Sequence, residues 1–298
     1  MNDPVLELIS PGLGASLQDH GRRGWKRFGV PPGGALDDHA ACWANLLVGN
    51  PLHTPVLELL LHGAVLRVLR PLTVSITGAA LIPDAEGLWR TFDLEEDDEV
   101  AVPPPESGVW TYLAVRGGFL ASRWFGSVSV FPRGGLGSAL TARSLLHQAP
   151  HAPPHSPPHI GRRWVDPTEQ RNYAHPPALR VWPGPQWDLF PEAARDRFFS
   201  QPWRISSRSD RTGYRLDGNP LSVSSVPLPS EPVLPGSIQL PPDGVPIVTQ
   251  RDGPTVGGYP KIGVVDPADL SWLVQCRPGQ EIRFIPATCP PLPATRPS

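Results

Sequence analysis

The high content of proline and glycine is the feature that most constrains how this chain can fold. The sequence contains 41 prolines and 29 glycines among 298 residues. Proline is excluded from helix interiors and central strand positions, because it lacks the backbone N–H and its ring clashes with the preceding chain. Apolar residues still make up 40% of the sequence, which is enough to bury a core. The sequence therefore predicts a globular, mainly β protein with short strands and tight turns.

Strand-like segments recur along the whole chain. Each shows alternating apolar and polar residues and is bordered by glycine or proline, which is the pattern of a half-buried strand. The segments are 64–70, 72–78, 110–118, 179–184, 203–209, 245–250 and 281–286.

Few helices are expected, and two segments are the best candidates. The segment DDHAACWANLLVGNP offers Asp37 or Asp38 as an N-cap and places its apolar residues on one face, until Gly49 ends the helix. The segment DPADLSWLVQC has Asp266 as the N-cap and Pro267 as the first helical residue. Both are short enough to cover the face or mouth of a β structure.

A tract rich in proline and histidine divides the chain. Its histidines are four residues apart, but the prolines forbid the helix that would align them for a metal ion, so we interpret the tract as a semi-rigid linker. The histidines are His147, His151, His155 and His159. The predicted organisation is an N-terminal domain at 1–149, a linker at 150–177 and a C-terminal domain at 178–298.

The charge balance excludes several classes of function. Lys and Arg number 26 against 28 Asp and Glu, so no basic surface is indicated and nucleic-acid binding is not expected. The first residues lack the pattern of a signal peptide, and no apolar segment reaches the roughly 18 residues of a membrane span. We expect a cytoplasmic protein that does not bind membranes.

The common catalytic motifs are absent from the sequence. The stretch PTVGGYPKIG does not form a phosphate-binding loop, because its glycines are adjacent and Pro260 has no N–H to offer. There is no GxGxxG, GxSxG or HExxH pattern. Cys42, Cys276 and Cys289 show no CxxC spacing, so we expect reduced structural thiols and no metal site.

Several clusters of polar residues occur in glycine-rich contexts and are the candidate site. Arginine and lysine suit carboxylates or phosphates, whereas aspartate and glutamate suit proton transfer or amide recognition. The candidates for catalysis are Asp19, Asp210, Glu231 and Lys261, and those for substrate binding are Gln18, Arg22, Arg211, Tyr214, Arg215, Gln239, Gly257, Gly258 and Tyr259. A structural alternative stays open for each, since SDRTGYRLDG is also typical of a turn whose aspartate caps backbone N–H groups.

The order of several long motifs resembles one family. The run from GLGASLQDHGRRGWKRFGVPPGG to VLELLLHGAVL is followed by YLAVRGGF, RGGLG, VWPGPQWDLF, SDRTGYRL, LPSEPVLPGSIQLPPDGVPIV and VGGYPKIGVV. Together these are similar to the biotin-dependent carboxyltransferase-like family, which includes C-type subunits of 5-oxoprolinases (PxpC, KipA) and the allophanate hydrolase subunit 2-type half of urea carboxylases.

The resemblance implies a fold, an activity and partners. It implies two cyclophilin-like β-barrels with a few short helices, and a B-type (KipI-type) and an A-type (LamB/YcsF-type) partner subunit. Together the three would open 5-oxo-L-proline to L-glutamate at the expense of ATP, which activates a stable amide for attack by water.

Two other functions stay open. One is the carboxyltransferase half of a biotin-dependent urea or amide carboxylase. This chain contains no MKM biotin-acceptor stretch, so the carrier would be a separate chain or domain. The other is a regulatory protein that binds a KipI-type kinase inhibitor.

Overall fold

The computed structural model describes residues 3–79, 88–149, 161–223 and 228–288. Within these ranges the first half of the chain contains nine strands and one α-helix. The strands are β1 (Pro4–Pro11), β2 (Ala15–Gln18), β3 (Val56–Leu60), β4 (Ala64–Val68), β5 (Leu72–Gly78), β6 (Arg90–Leu94), β7 (Glu99–Ala101), β8 (Trp110–Val115) and β9 (Ser144–His147), and the helix is α1 (Asp38–Leu47).

The described part of the second half contains ten further strands and two α-helices. The strands are β10 (Leu179–Pro183), β11 (Trp203–Ile205), β12 (Gly213–Asp217), β13 (Glu231–Pro232), β14 (Ser237–Gln239), β15 (Ile247–Thr249), β16 (Val256–Gly257), β17 (Lys261–Val265), β18 (Glu281–Ile282) and β19 (Phe284–Pro286). The helices are α2 (Glu192–Ser200) and α3 (Pro267–Leu273).

The strands of each half pair with strands of the same half. In the first half, β2-β3-β8-β5-β6 form a five-stranded sheet and β7-β4-β1-β9 a four-stranded sheet. In the second half, β18-β11-β12-β15-β14-β17-β10-β19 form one eight-stranded, nearly closed sheet, beside the small pair β13-β16. The predicted mainly β fold with a few short helices is confirmed.

Both predicted helices are present and start as expected. Asp37 is the N-cap of α1 and accepts a hydrogen bond from the Ala40 N–H, and Asp266 caps α3 in the same way through Ala268. Helix α2 was not predicted from the sequence. This helix is mostly polar and buries only Ala194 and Phe198 among its nine residues, so its apolar pattern is too weak to recognise.

The two halves share one hydrophobic cluster, which includes Val56 and Trp110 from the first half and Tyr214 and Leu273 from the second. Polar contacts reinforce it, because the Gln275 carboxamide accepts hydrogen bonds from the Val109 and Trp110 N–H groups at 2.7 and 2.8 Å. The halves are therefore packed together through a buried interface.

The predicted linker is only partly described. His151, His155 and His159 lie outside the described residues. Residues 161–177, which follow, are held against the first half: the Val165 N–H donates to the Trp89 carbonyl, and the buried Tyr173 hydroxyl donates to Asp37 at 2.7 Å. The proposed domain limits at 149 and 178 remain a prediction.

The described residues contain no helix that is long and apolar enough to cross a membrane. Cys42 and Cys276 are free thiols, and burial raises their pKa values to about 11 and about 12. Both thiols are therefore protonated at neutral pH, as expected of structural cysteines. Cys289 lies outside the described residues.

Candidate functional site

A polar pocket in the second half brings six of the predicted residues together. Its volume is about 440 Å³ and its walls come mainly from β12, β14–β16 and the loops beside them. The predicted residues that line it are Asp210, Arg215, Gln239, Gly257, Gly258 and Tyr259, and the other lining residues are Arg133, Arg208, Thr212, Gly213, Ile247, Thr249, Pro254 and Val256.

The glycine pair forms one wall of the pocket at a close approach between strands. A side chain at Gly257 would put its Cβ 2.8 Å from the Gln239 Oε1 atom, so only glycine leaves this carboxamide in place. The Gln239 Nε2 group donates to the Thr249 hydroxyl at 2.8 Å, which fixes the orientation of the amide. The carboxamide oxygen therefore lies beside the pocket wall.

Asp210 is part of the turn that precedes β12. Its Oδ1 atom accepts hydrogen bonds from the Thr212 N–H at 2.8 Å and from the Gly213 N–H at 3.3 Å. Its Oδ2 atom lies 3.3 Å from the Arg133 guanidinium of the first half. The structural alternative, an aspartate that caps a turn, describes this residue well, although its exposed carboxylate also faces the pocket.

Glu231 and Lys261 form an ion pair beside this pocket and are not among its lining residues. The buried Lys261 ammonium donates to Glu231 Oε1, and the Gln186 side chain bridges the pair by donating to the same oxygen at 2.6 Å. The hydrogen bond from Lys261 holds the pKa of Glu231 below its usual value. Glu231 lies directly opposite Gly257 in the β13–β16 pair, so the ion pair supports the glycine wall.

Arg211 and Tyr214 lie inside the protein and do not line the pocket. The Arg211 guanidinium contacts the carboxylates of Glu58 and Asp252 and donates to the Gly34 carbonyl at 2.8 Å. The Tyr214 hydroxyl donates to a backbone carbonyl of the segment after α3 at 2.7 Å. The contacts of Arg211 with Glu58 and Gly34 favour a role in joining the two halves, and the assignment of Arg211 and Tyr214 to substrate binding stays a prediction.

Gln18, Asp19 and Arg22 lie in the first half, away from the pocket just described. Both carboxylate oxygens of Asp19 accept hydrogen bonds, from the Gly21 and Val128 N–H groups and from two serine hydroxyls. Gln18 and Arg22 are almost completely buried. Asp19 and Arg22 line a separate pocket with Arg123.

Four polar residues that line the main pocket were not predicted from the sequence: Arg133, Arg208, Thr212 and Thr249. Arg208 lies just before the SDRTGYRL motif, Thr212 lies within it, and Thr249 is the buried last residue of β15. Arg133 belongs to the RGGLG turn, which was recognised only as a family motif; an arginine in a glycine-rich turn was its signal. The described residues contain no group of three His, Cys, Asp or Glu side chains suited to a metal ion.

The fold and the pocket define a carboxyltransferase-like β protein. The chain belongs to the family described as carboxyltransferase domain, subdomain A and B, whose model matches residues 28–286. It is 34% identical over 289 residues to the C subunit of 5-oxoprolinase from Escherichia coli K12, covering 94% of this chain and 91% of the relative.

Solved structures share the fold. The crystal structure of TTHA0988 superposes with a TM-score of 0.84 at 35% identity, and the match covers 95% of this chain and 56% of that chain. The Kluyveromyces lactis urea amidolyase superposes with a TM-score of 0.82 at 27% identity, over 97% of this chain and 19% of that one. This chain thus spans little more than half of one solved relative and about a fifth of the other.

Proposed function

We propose that the chain is the C-type subunit of an ATP-dependent 5-oxoprolinase, which opens 5-oxo-L-proline to L-glutamate with A-type and B-type partners in the cytoplasm. The observation that carries the proposal is the 34% identity to the C subunit of 5-oxoprolinase over nearly the full length of both chains. The family model, which matches residues 28–286, spans the pocket segments 208–215 and 254–259.

The chemistry of the pocket suits this substrate. 5-Oxoproline carries a carboxylate and a cyclic amide, and a pocket for it needs cationic donors and an amide partner. Arg208 and Arg215 provide guanidinium groups for the carboxylate, and the oriented Gln239 carboxamide is a partner for the lactam amide. Asp210 is placed to orient water or a substrate N–H.

ATP supplies the phosphoryl group that activates the amide oxygen. The same two arginines suit phosphate oxygens, so this chain can contribute to the charge stabilisation of that step whichever subunit holds the nucleotide. We expect no biotin on this chain.

Reconstitution tests the proposal. The full-length chain, purified with A-type and B-type subunits, is expected to form glutamate from 5-oxoproline only when ATP is present. Arg215→Ala and Gln239→Ala are expected to lower kcat/KM at least about ten-fold, the effect of losing one charge-assisted or buried hydrogen bond. Arg204→Ala is the matched control, because Arg204 is an exposed arginine that pairs with Glu281 away from the pocket.

A second candidate function is the carboxyltransferase half of a urea or amide carboxylase. The structural match to the urea amidolyase favours it. In that case the reconstituted complex would transfer a carboxyl group from carboxybiotin on a partner to urea. It would form no glutamate from 5-oxoproline. If the Arg215 and Gln239 variants left the activity of the complex unchanged while the chain still bound a B-type partner, a regulatory binding role would replace both.

A further inference from the structure

A second pocket lies in the first half of the chain, where the loop after β2 meets the segment 123–126. Its volume is about 410 Å³, and it shares no lining residue with the pocket of the second half. It is lined by Asp19, His20, Gly21, Arg22, Arg23, His53, Arg123, Phe125 and Gly126.

Positive charge dominates this second pocket. Arg22, Arg23 and Arg123 face a single carboxylate, Asp19. Both oxygens of Asp19 are already bound by the Ser127 and Ser129 hydroxyls and by backbone N–H groups, and the nearest Arg123 nitrogen is 3.8 Å away. The carboxylate therefore stabilises its own loop, and the pocket keeps an excess of about two positive charges for a ligand.

Arg22 is a buried cation with unmade hydrogen bonds. Its exposed fraction is 1%, its Nη2 group donates to the Ser129 carbonyl, and within the described residues its Nε and Nη1 atoms have no partner. These two atoms are enclosed by protein, so Arg22 contributes its positive charge to the pocket wall, and the exposed Arg23 and Arg123 guanidinium groups are the donors that a ligand can reach. An oxyanion with several acceptor atoms would satisfy the donors of these two arginines.

An apolar pocket adjoins the charged one. It has a volume of about 560 Å³ and shares His53 and Arg123 with it. Its other walls include Pro55, Phe119 and Leu120. A ligand that spans the two pockets would have an anionic group at one end and an apolar or ring-shaped body at the other.

From this juxtaposition we propose that the first half of the chain contains a binding site for an organic phosphate. The phosphoryl group lies at Arg22, Arg23 and Arg123, and the organic part lies against Phe119 and Leu120. A phosphate is the oxyanion that best matches an excess of two positive charges, because it carries nearly two negative charges at neutral pH. The proposal does not rest on the pocket assigned to 5-oxoproline, since the two pockets share no lining residue.

Calorimetric titration of the full-length chain tests this site, with phenyl phosphate as the probe. We expect phenyl phosphate to bind more tightly than both inorganic phosphate and phenylacetate, which lack the ring and the phosphoryl group respectively. Arg23→Gln and Arg123→Gln are each expected to weaken phenyl phosphate at least about ten-fold. Both side chains are exposed, so these variants are expected to fold, and their circular dichroism and Tm serve as the check.

Two further variants locate the ligand. Leu120→Ala is expected to weaken phenyl phosphate but not inorganic phosphate, and Arg204→Gln, at an exposed arginine that lines neither pocket, is expected to change neither. Absence of binding, or equal binding by the Arg123→Gln variant, would overturn the proposal. Tighter binding of phenylacetate would mean a carboxylate site and would overturn the phosphate assignment.

Discussion

Lys26 and Lys261 are the two lysines of the chain, and their ammonium groups have partners of different chemistry. Lys261 donates to the Glu231 carboxylate, whereas Lys26 donates to the backbone carbonyl of Val233. A carboxylate titrates in the acid range and a carbonyl does not. Of these two contacts, only the ion pair of Lys261 and Glu231 therefore contributes to the dependence of stability on acid pH.

We predict that Lys261→Met reduces the loss of stability on acidification. The pKa of Glu231 is lowered in the folded protein, so the pair stabilises the fold fully above the unfolded value of about 4.3. This contribution disappears as the pH falls through the folded pKa. Tm measured from about pH 7 to about pH 3 should fall less steeply in Lys261→Met than in the wild type. Lys26→Met is the control and should keep the wild-type slope; identical slopes in all three proteins would contradict the prediction.

The side on which Lys261 lies could not be predicted from the sequence. Tyr259 and Lys261 are two residues apart, so a regular strand would place them on one face. In the structure β16 ends at Gly257 and β17 begins at Lys261, with Pro260 between them. Tyr259 is 46% exposed at the pocket, whereas Lys261 is 2% exposed and faces Glu231. The glycine wall was predictable because it depends on the local backbone conformation. The orientation of the Lys261 side chain was not, because it depends on Glu231, which is distant in the sequence.

The N-caps of α1 and α3 show what local sequence can and cannot reveal about an element. Both caps were predictable, because an aspartate before a short apolar pattern is a local signal. The second oxygen of Asp37 also accepts hydrogen bonds from Tyr173 and Gln275, at 2.7 and 2.8 Å. These partners lie 136 and 238 residues away in sequence, so no local pattern could indicate them.

We predict that the two caps differ in their effect on stability. Asp266→Ala should lower the free energy of unfolding by about 1 kcal/mol, the usual value of an N-cap. Asp37→Ala should cost about 3 kcal/mol or more, because it also leaves the buried Tyr173 hydroxyl and Gln275 amide without an acceptor. Urea denaturation of the two variants measures the difference, and equal losses would contradict this account.

At the scale of the whole molecule, the buried contacts of Arg211 join the two halves. Its partner Glu58 lies on β3 of the first half and Asp252 in the second, and both carboxylates are almost fully buried. The contact with Glu58 bridges 153 residues of sequence, which is why the motif around Arg211 suggested an anion-binding residue and not a junction.

We predict that Arg211→Met lowers the free energy of unfolding by about 3 to 5 kcal/mol, because it leaves two buried carboxylates without their cation. Arg204→Met is the matched control and should cost less than about 1 kcal/mol, since Arg204 belongs to an exposed ion pair. Adding Glu58→Gln to Arg211→Met should cost less than the sum of the two single changes. Additive losses would show that the pair does not couple the halves.

In each half, the first strand pairs with the last. Pro4 at the start of β1 lies opposite His147 at the end of β9, and β10 runs parallel to β19 with Leu179 beside Phe284. In each half, the first and last of these strands thus lie side by side. Gene fusion can then attach further domains at either end without opening a sheet. This geometry suits a fold whose match covers only 19% of the much longer Kluyveromyces lactis urea amidolyase chain.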